Sequence, residues 1–220
     1  MPVLEAQVES GASAVNFSIP GSHTVYDNNE EHKIAISGLY FDAVLDYNAV
    51  PKLSPFAYLT AGSVNNSNFP LLAGEANIFL DNCFVANSYI KLISPNQEFK
   101  ISLGIDEAIQ IEHKLKNKFS KDEGLFSKKS KINFEYSIEI TNNKKIDCNI
   151  SVKDQIPVSQ NQEIKVDLIE PKYKEDTPGL KKTDDGIIEW KNNIKPGEKV
   201  KLDLKFVVEY PREIEIEGLE

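Results

Sequence analysis

The sequence predicts an all-β protein of two antiparallel β-sandwich domains, the second of them immunoglobulin-like. Three observations carry this. Apolar residues recur at every second position through long stretches, the period of half-buried strands. Turn-forming residues break these stretches at short intervals, as in sandwiches. Phe69–Val85 reads as a hairpin, its two apolar runs separated by Asp81-Asn82, both of which tolerate positive φ. The expected division is a first sandwich over 12–116, a lysine-rich connection over 117–129, an immunoglobulin-like sandwich over 130–212 and an acidic tail over 213–220. Neighbouring strand-rich domains can share a continuous sheet.

In chain order, Ala14–Ile19 is a short strand closed by Pro20-Gly21, and Val25-Tyr26 begins another that a polar tip, Asp27–Glu31, interrupts. Lys33–Ile36 alternates, and residues 39–50 mix aromatic and β-branched side chains up to Pro51. Pro51 and Pro55 exclude helix between them, because each lacks a donor and restricts its predecessor. Phe56–Ala61 has helical propensity but lies among strands and is read as one. Ala73-Gly74-Glu75 is read as a turn, followed by the hairpin strands Asn77–Leu80 and Cys83–Val85. Phe99, Ile101, Leu103 and Ile105 alternate with Lys100, Ser102 and Gly104, and Ile109, Ile111, His113 and Leu115 keep an inward phase.

Lysines 114, 116, 118, 121, 128, 129 and 131 crowd the next segment. Asp122 and Glu123 interrupt them, so the segment reads as a solvated hairpin or an inter-domain connection rather than an anion site. Ile132, Phe134, Tyr136, Ile138 and Ile140 then alternate with polar residues. Thr141–Lys144 turns the chain, and Ile146, Cys148, Ile150 and Val152 are expected to pair back. Ile164, Val166 and Leu168 form a further strand, 171–185 a polar excursion, and Gly186–Trp190 another strand. Pro196-Gly197 is a turn before the alternation from Val200 to Tyr210. The tail from Glu213 is a charged edge strand or a frayed end. The Cys…Trp…Cys spacing of true immunoglobulin domains is missing, so only that architecture is implied.

A chain of 220 residues can bury a substantial core, and 40% hydrophobic with 27% charged residues is ordinary for a globular protein. No stretch approaches the roughly 20 apolar residues of a membrane helix, and the N-terminus lacks the pattern of a signal peptide. A net charge of −9 argues against nucleic acid as a partner, and a single arginine, Arg212, against bidentate phosphate recognition. Cys83 and Cys148 fall in apolar strands of different expected domains and read as two buried thiols. The absence of a disulfide framework favours a reducing compartment, and with no leader visible the expected location is cytoplasmic. The N-x-S sequons at Asn16, Asn65 and Asn149 are what an Asn-rich chain contains by chance.

No catalytic constellation emerges. Gly11-Ala12-Ser13-Ala14-Val15 lacks the last glycine of G-x-S-x-G. His23, Asp27 and His32 could meet across a hairpin, but nothing marks a supporting shell for a metal. Residues 27–38 fail as a calcium loop, with His32 where glycine and Gly38 where glutamate belong. His113 is read as a packed or edge histidine, and Asp81, Asp106 and Asp154 as aspartates satisfying turns. No cofactor, metal or catalytic residue is therefore expected.

A succession of segments is more specific than any motif: IPGSHTV (19–25), EEHKIAI (30–36), AVPKLSPFAYLTA (49–61), LLAGEANIFLDNCFVANSYI (71–90), EFKISLGIDEAIQI (98–111), DQIPVSQNQEIKV (154–166) and IEWKNNIKPGEKVKLDLKFVVEYP (188–211). It resembles the C-terminal domain of unknown function of mucoidy inhibitor A-like proteins and covers nearly the whole chain. The resemblance implies a C-terminal module whose family members carry an N-terminal β domain and a coiled-coil middle, with homo-oligomerisation through that upstream coiled coil. It transfers no catalytic residue, and Cys83 departs from the family pattern.

The reading that follows is a non-enzymatic protein-interaction or scaffold module whose partner is a protein, with no nucleic acid and no membrane insertion. The alternatives are a glycan-binding module in polysaccharide or envelope regulation, stacking sugars on Phe69 or Tyr173, and a hydrolase with dispersed carboxylates. Loops of a sandwich cluster at its ends, so Pro51, Lys52, Pro55, Phe56 and Tyr58, with Asn65, Asn66 and Phe69, are the candidate interaction residues.

Overall fold

The structure is a computed structural model that describes residues 7–10, 15–19, 22, 24, 26–28, 34–80, 82–122 and 129–216. Thirteen strands and no helix are found among the described residues, so none is a helix able to cross a membrane. The strands are β1 (Gln7–Ser10), β2 (Val15–Ser18), β3 (Val44–Ala49), β4 (Phe56–Val64), β5 (Gly74–Leu80), β6 (Cys83–Ile90), β7 (Glu98–Asp122), β8 (Lys129–Asn142), β9 (Cys148–Gln155), β10 (Lys165–Glu170), β11 (Leu180–Lys182), β12 (Ile187–Ile194) and β13 (Lys199–Pro211). The chain divides into two compact units, Met1–Val44 with Ala61–Ile101, and Leu45–Thr60 with Ser102–Glu220. This partition differs from the expected 12–116 and 130–212. The described residues of the lysine-rich segment lie in β7 and β8, which pair antiparallel from Ile109↔Asn142 out to Asp122↔Ser130; residues 123–128 lie outside the described residues.

The first unit holds the β1–β2 pair and the β5–β6 hairpin. Leu80↔Cys83 closes that hairpin with Asn82 at φ 62°, the positive φ that an Asp-Asn turn anticipates. Gly74 already belongs to β5, so Ala73–Glu75 is no turn. Asp81, and the expected strand residues Ala14, Val25 and Lys33, lie outside the described residues, as do His23 and His32. Residues 34–43 carry no strand, and Ile34 and Ile36 are exposed.

Nearest the turn into β5 sits Asn65, fully buried. Its backbone N–H donates to Gln97 O (3.0 Å) and its carbonyl accepts from Asn96 N (2.7 Å). The side-chain amide donates to Phe69 O (3.0 Å) and Ile93 O (3.1 Å), while Oδ1 accepts from Ser67 N (3.2 Å). One residue thus ties the end of β4 to two separate loops. Buried amides are kept where every polar atom is paired.

The second unit is built on a nine-stranded sheet in the order β10-β13-β8-β7-β4-β3-β9-β12-β11. β13 pairs with β8 without a register break from Lys199↔Thr141 to Pro211↔Lys129. Period-2 alternation in both strands therefore puts Phe134, Tyr136, Ile138 and Ile140 on one face with Phe206, Leu204, Leu202 and Val200. Ile150, Val152, Ile188 and Trp190 from β9 and β12 join the same hydrophobic cluster. Ile138, Ile140, Val152 and Ile188 are completely buried there.

Two expectations are corrected. β9 does not pair back on β8, because β7 and β13 already occupy both edges of β8. It pairs antiparallel with β12, and in parallel with β3 through Tyr47↔Ile150 and Ala49↔Val152, so the sheet is mixed. Ile146, expected in the strand, lies before it and is exposed. The polar excursion over 171–185 contains β11, whose Leu180 is buried opposite Trp190. At the tail, β13 ends at Pro211 and Ile216 packs against the core.

Asn142, also fully buried, ends β8. Its N–H donates to Glu198 O (3.0 Å), and its carbonyl accepts from Gly197 N (2.8 Å). Its side chain donates to Ile146 O (2.9 Å) and Ile194 O (2.9 Å) and accepts from Lys144 N (2.9 Å).

Truncating a fully buried isoleucine removes its transfer free energy and leaves a void. Ile138→Ala should therefore lower unfolding free energy by roughly 2–5 kcal/mol, followed by fluorescence of the single tryptophan, Trp190. Leu53→Ala, at an 83% exposed site, should change it by less than about 0.5 kcal/mol.

Candidate functional site

The face shared by β13, β8 and β7 is covered by core over most of its area, but toward one end a cleft of about 330 Å³ opens within the second unit. Phe134, Tyr136, Leu204 and Phe206 line it from β8 and β13, His113 from β7 and Asp154 from β9. The segment Gln155–Val158 forms a wall, and Lys52 reaches the cleft from the turn before β4. That wall is seated by Gly186, whose carbonyl accepts from Ile156 N (3.0 Å). Gly186 has φ +78°, and a Cβ there would come within 2.4 Å of Ile156 O, so the site admits only glycine.

Strand register explains the lining. Phe134 faces Phe206 across the β8–β13 ladder, and Tyr136 follows two residues on along the same face. The rings stack nearly parallel, Phe206 to Phe134 at 4.9 Å and 14°, and His113 to Tyr136 at 5.2 Å and 19°. A bulge between Leu115 and Asn117 shifts the β7–β8 register, so that Lys118 rather than Asn117 stands opposite Phe134. Lys118 Nζ lies 5.3 Å from the Phe134 ring centroid, a cation–π arrangement.

His113 Nε2 and Asp154 Oδ2 are 2.9 Å apart, with the Asp154 side chain 2% and the His113 side chain 16% exposed. Asp154 Oδ1 also accepts from Gln155 N (2.7 Å). A buried carboxylate needs such partners. The bond fixes the imidazole's orientation and leaves Nδ1 outside it. Burial, then the Asp154 charge, raises the pKa of Tyr136, which keeps it a neutral phenol. The arrangement offers an aromatic and aliphatic slot with an oriented imidazole and one lysine at its rim.

A second polar cluster is fully internal to its own bonds. Tyr47 Oη donates to Asp106 Oδ2 (2.7 Å), Lys144 Nζ donates to the same oxygen, and Ala108 N donates to Oδ1 (3.0 Å). Burial and the Asp106 bond push Tyr47 up to about 12. Burial raises the Asp106 carboxyl, but the bonds from Lys144, Tyr47 and Ala108 outweigh it and hold it below the ordinary carboxylate range. This cluster ties β3 and β7 to the loop after β8 and is structural.

The sequence-predicted candidates are distributed otherwise. Lys52 reaches the cleft; Pro51 is buried, and Pro55, Phe56 and Tyr58 are exposed. The Tyr58 hydroxyl is 3.2 Å from Ser54 Oγ. Asn65 is a buried corner residue rather than an interaction residue, since its amide is consumed by the backbone bonds described above. Asn66 is exposed, and Phe69 is half-buried, edge-on to Phe17 at 5.5 Å. Tyr173 packs against the core, so neither it nor Phe69 is an open stacking platform. Among the described residues no cluster of three metal-ligating side chains occurs. Asp154 lies in β9 and not at a turn, and together with Tyr136 and His113, residues read from the sequence as structural, it makes a site. The available signal was an ionisable residue in the inward phase of each of two strands.

Cys148 is buried and free, whereas Cys83 is exposed and free, correcting the expectation of two buried thiols; Cys83 stands at the open start of β6. Burial pushes the Cys148 thiol up.

Over residues 2–212 the chain matches the model of a family described as "Domain of unknown function (DUF4139)". Protein F37C4.5 of Caenorhabditis elegans is 31% identical over 219 residues, covering 96% of this chain and 39% of that protein. The chain thus spans less than half the length of that relative. No solved structure matches it significantly.

Two outcomes are expected. Asp106→Asn should cost about 1–3 kcal/mol at neutral pH, the scale of hydrogen bonds to a charged group. The folded-state pKa of Asp106 is depressed, so its contribution is present above the unfolded value near 3.9 and is lost as pH falls through the folded value. Denaturant titrations of wild type and variant should converge in acid. Separately, a thiol reagent should modify Cys83 in the native protein and Cys148 only after unfolding.

Proposed function

The chain belongs to the DUF4139 family, and from that premise we propose that it is a non-enzymatic protein-interaction module that receives a partner segment in the cleft at His113, Tyr136 and Asp154. The observation that carries the proposal is the lining. Phe134, Tyr136, Phe206, Leu204, Ile156, Pro157 and Val158 give an apolar slot, with His113, Asp154 and Lys52 as polar anchors. Binding sites pair an apolar lining with a few placed polar groups in this way. A volume of about 330 Å³ accommodates one or two side chains of a peptide. Asp154 is the single carboxylate of the lining, whereas glycoside hydrolysis uses two facing carboxyl groups. Nucleophilic catalysis wants a hydroxyl or thiol beside the imidazole, and the lining supplies only the Tyr136 phenol, held neutral.

In fold, we take the second unit as an immunoglobulin-like sandwich, a reading supported by the single core to which β7, β8 and β13 contribute one set of side chains and β9 and β12 the other. By its resemblance to mucoidy inhibitor A-like proteins, we take the chain as a C-terminal module of that kind. With 39% of Protein F37C4.5 covered, the partners and activity of a whole protein of that kind are a further proposal.

The test is affinity capture with the 220-residue chain beside Val158→Asp and Lys52→Glu variants at the cleft mouth, and a glycan array on the same samples. A stoichiometric protein partner retained at least tenfold better by wild type than by either variant is the expected result. Equal capture by all three, or a sugar bound specifically by the array, overturns it.

A further inference from the structure

The corners at Asn65 and Asn142 are built alike, bond for bond. Each asparagine donates its N–H to the carbonyl that opens a later strand, Gln97 or Glu198, and accepts from the residue before it, Asn96 or Gly197. Each side chain donates to the carbonyl four residues on, Phe69 or Ile146, and to a distant isoleucine, Ile93 or Ile194, and accepts from the N–H two residues on, Ser67 or Lys144. The turns reached are also the same. Gln97 N donates to Ser94 O (3.1 Å) and Glu198 N to Lys195 O (3.0 Å). The side chains of Gln97 and Glu198 accept from Ser94 N and Lys195 N, both at 2.8 Å. Asn96 and Gly197 both take positive φ, 63° and 73°. The two turns read Ile-Ser-Pro-Asn-Gln and Ile-Lys-Pro-Gly-Glu.

The equivalence extends into the strands with fixed offsets. Positions through the first corner lie 77 residues before their counterparts (65 against 142), and positions through the second turn lie 101 before theirs (93 against 194). With those offsets the bridge Leu71↔Ile93 becomes Cys148↔Ile194, Gly74↔Ile90 becomes Ser151↔Lys191, and Asn77↔Asn87 becomes Asp154↔Ile188. The correspondence holds pair by pair to Ile78↔Ala86 and Gln155↔Ile187. A generic β-turn fixes a few bonds within four residues. It does not fix the register of a strand pair joined through a separate corner.

We infer that residues 61–101 and 138–202 are two copies of one motif: strand, asparagine corner, strand pair, proline turn, strand. The offset grows by 24 residues (101 against 77) between the paired strands of the second copy, and that extra length carries β10, β11 and the cleft wall Ile156–Val158. At the position of Asp154 the first copy has Asn77. The cleft is thus an elaboration of the second copy. The inference rests on hydrogen bonds and register and stands apart from what the cleft binds.

Reciprocal exchange of the turns tests it in the full chain. One variant carries Ser94→Lys, Asn96→Gly and Gln97→Glu, the other Lys195→Ser, Gly197→Asn and Glu198→Gln. A Cβ at Gly197 meets nothing within 4 Å, and asparagine tolerates its φ. Asn65→Asp and Asn142→Asp, which aim a carboxylate at two carbonyl oxygens, are the companions. If the corners are equivalent, both exchange variants melt within about 4 °C of wild type, the shift of roughly 1 kcal/mol, and each Asn→Asp variant loses more than that or fails to fold. A larger loss in either exchange variant, or a wild-type melting temperature in either Asn→Asp variant, overturns the inference.

Discussion

A buried primary amide is the constraint on which the second unit's geometry depends. Asn142 ends the strand that carries Phe134, Ile138 and Ile140, and its side chain bonds to carbonyls on both chain segments that leave and re-enter that corner. An apolar residue of the same size would leave Ile146 O, Ile194 O and Lys144 N without those partners. Unpaired buried groups cost about 1–3 kcal/mol each. The amide therefore specifies where β8 stops and where β9 and β13 start. Register follows from that, since a slip of one residue would turn every inward side chain outward.

Given that register, the cleft is a consequence of where the apolar phase runs out. Inward positions of β9 read Cys148, Ile150, Val152, then Asp154, and those of β7 read Ile109, Ile111, then His113. The two ionisable residues arrive at the same end of the core and meet at 2.9 Å. Beyond them the bulge at Leu115–Asn117 changes which face of β7 is presented, and Lys118 takes the place over Phe134. An apolar core, a polar pair and a cation succeed one another along one sheet face.

Much of this was legible in the sequence. The strands of the second half, the Asp81-Asn82 hairpin and the Pro196-Gly197 turn come from alternation and turn chemistry, both local signals. Pairing partners were not legible, because alternation says which face a side chain takes and nothing about which neighbour a strand finds. That is why β9 was expected on β8, and why β3 was not expected to lie parallel to it. Short β11 hid in a polar stretch, where Leu180 is the one buried apolar side chain of its three residues. Asn65 and Asn142 stood in Asn-rich turns whose composition suggests exposure; their burial is set by carbonyls 28 and 52 residues away.

The His113–Asp154 pair carries more meaning than its distance alone. Apolar residues of similar volume at both positions would extend the core without burying polar groups, and replacing both partners of a buried hydrogen bond in that way is often neutral or stabilising. The pair is therefore weak as a stability device. Its remaining property is direction: Asp154, held by Gln155 N and by β12 pairing at Ile188, aims one imidazole along a wall of aromatic rings. If the proposed partner segment enters this slot, the oriented imidazole would discriminate among segments by whether they pair with it, since one that leaves it unpaired incurs the desolvation. In the proposed interaction module this geometry would serve specificity rather than folding.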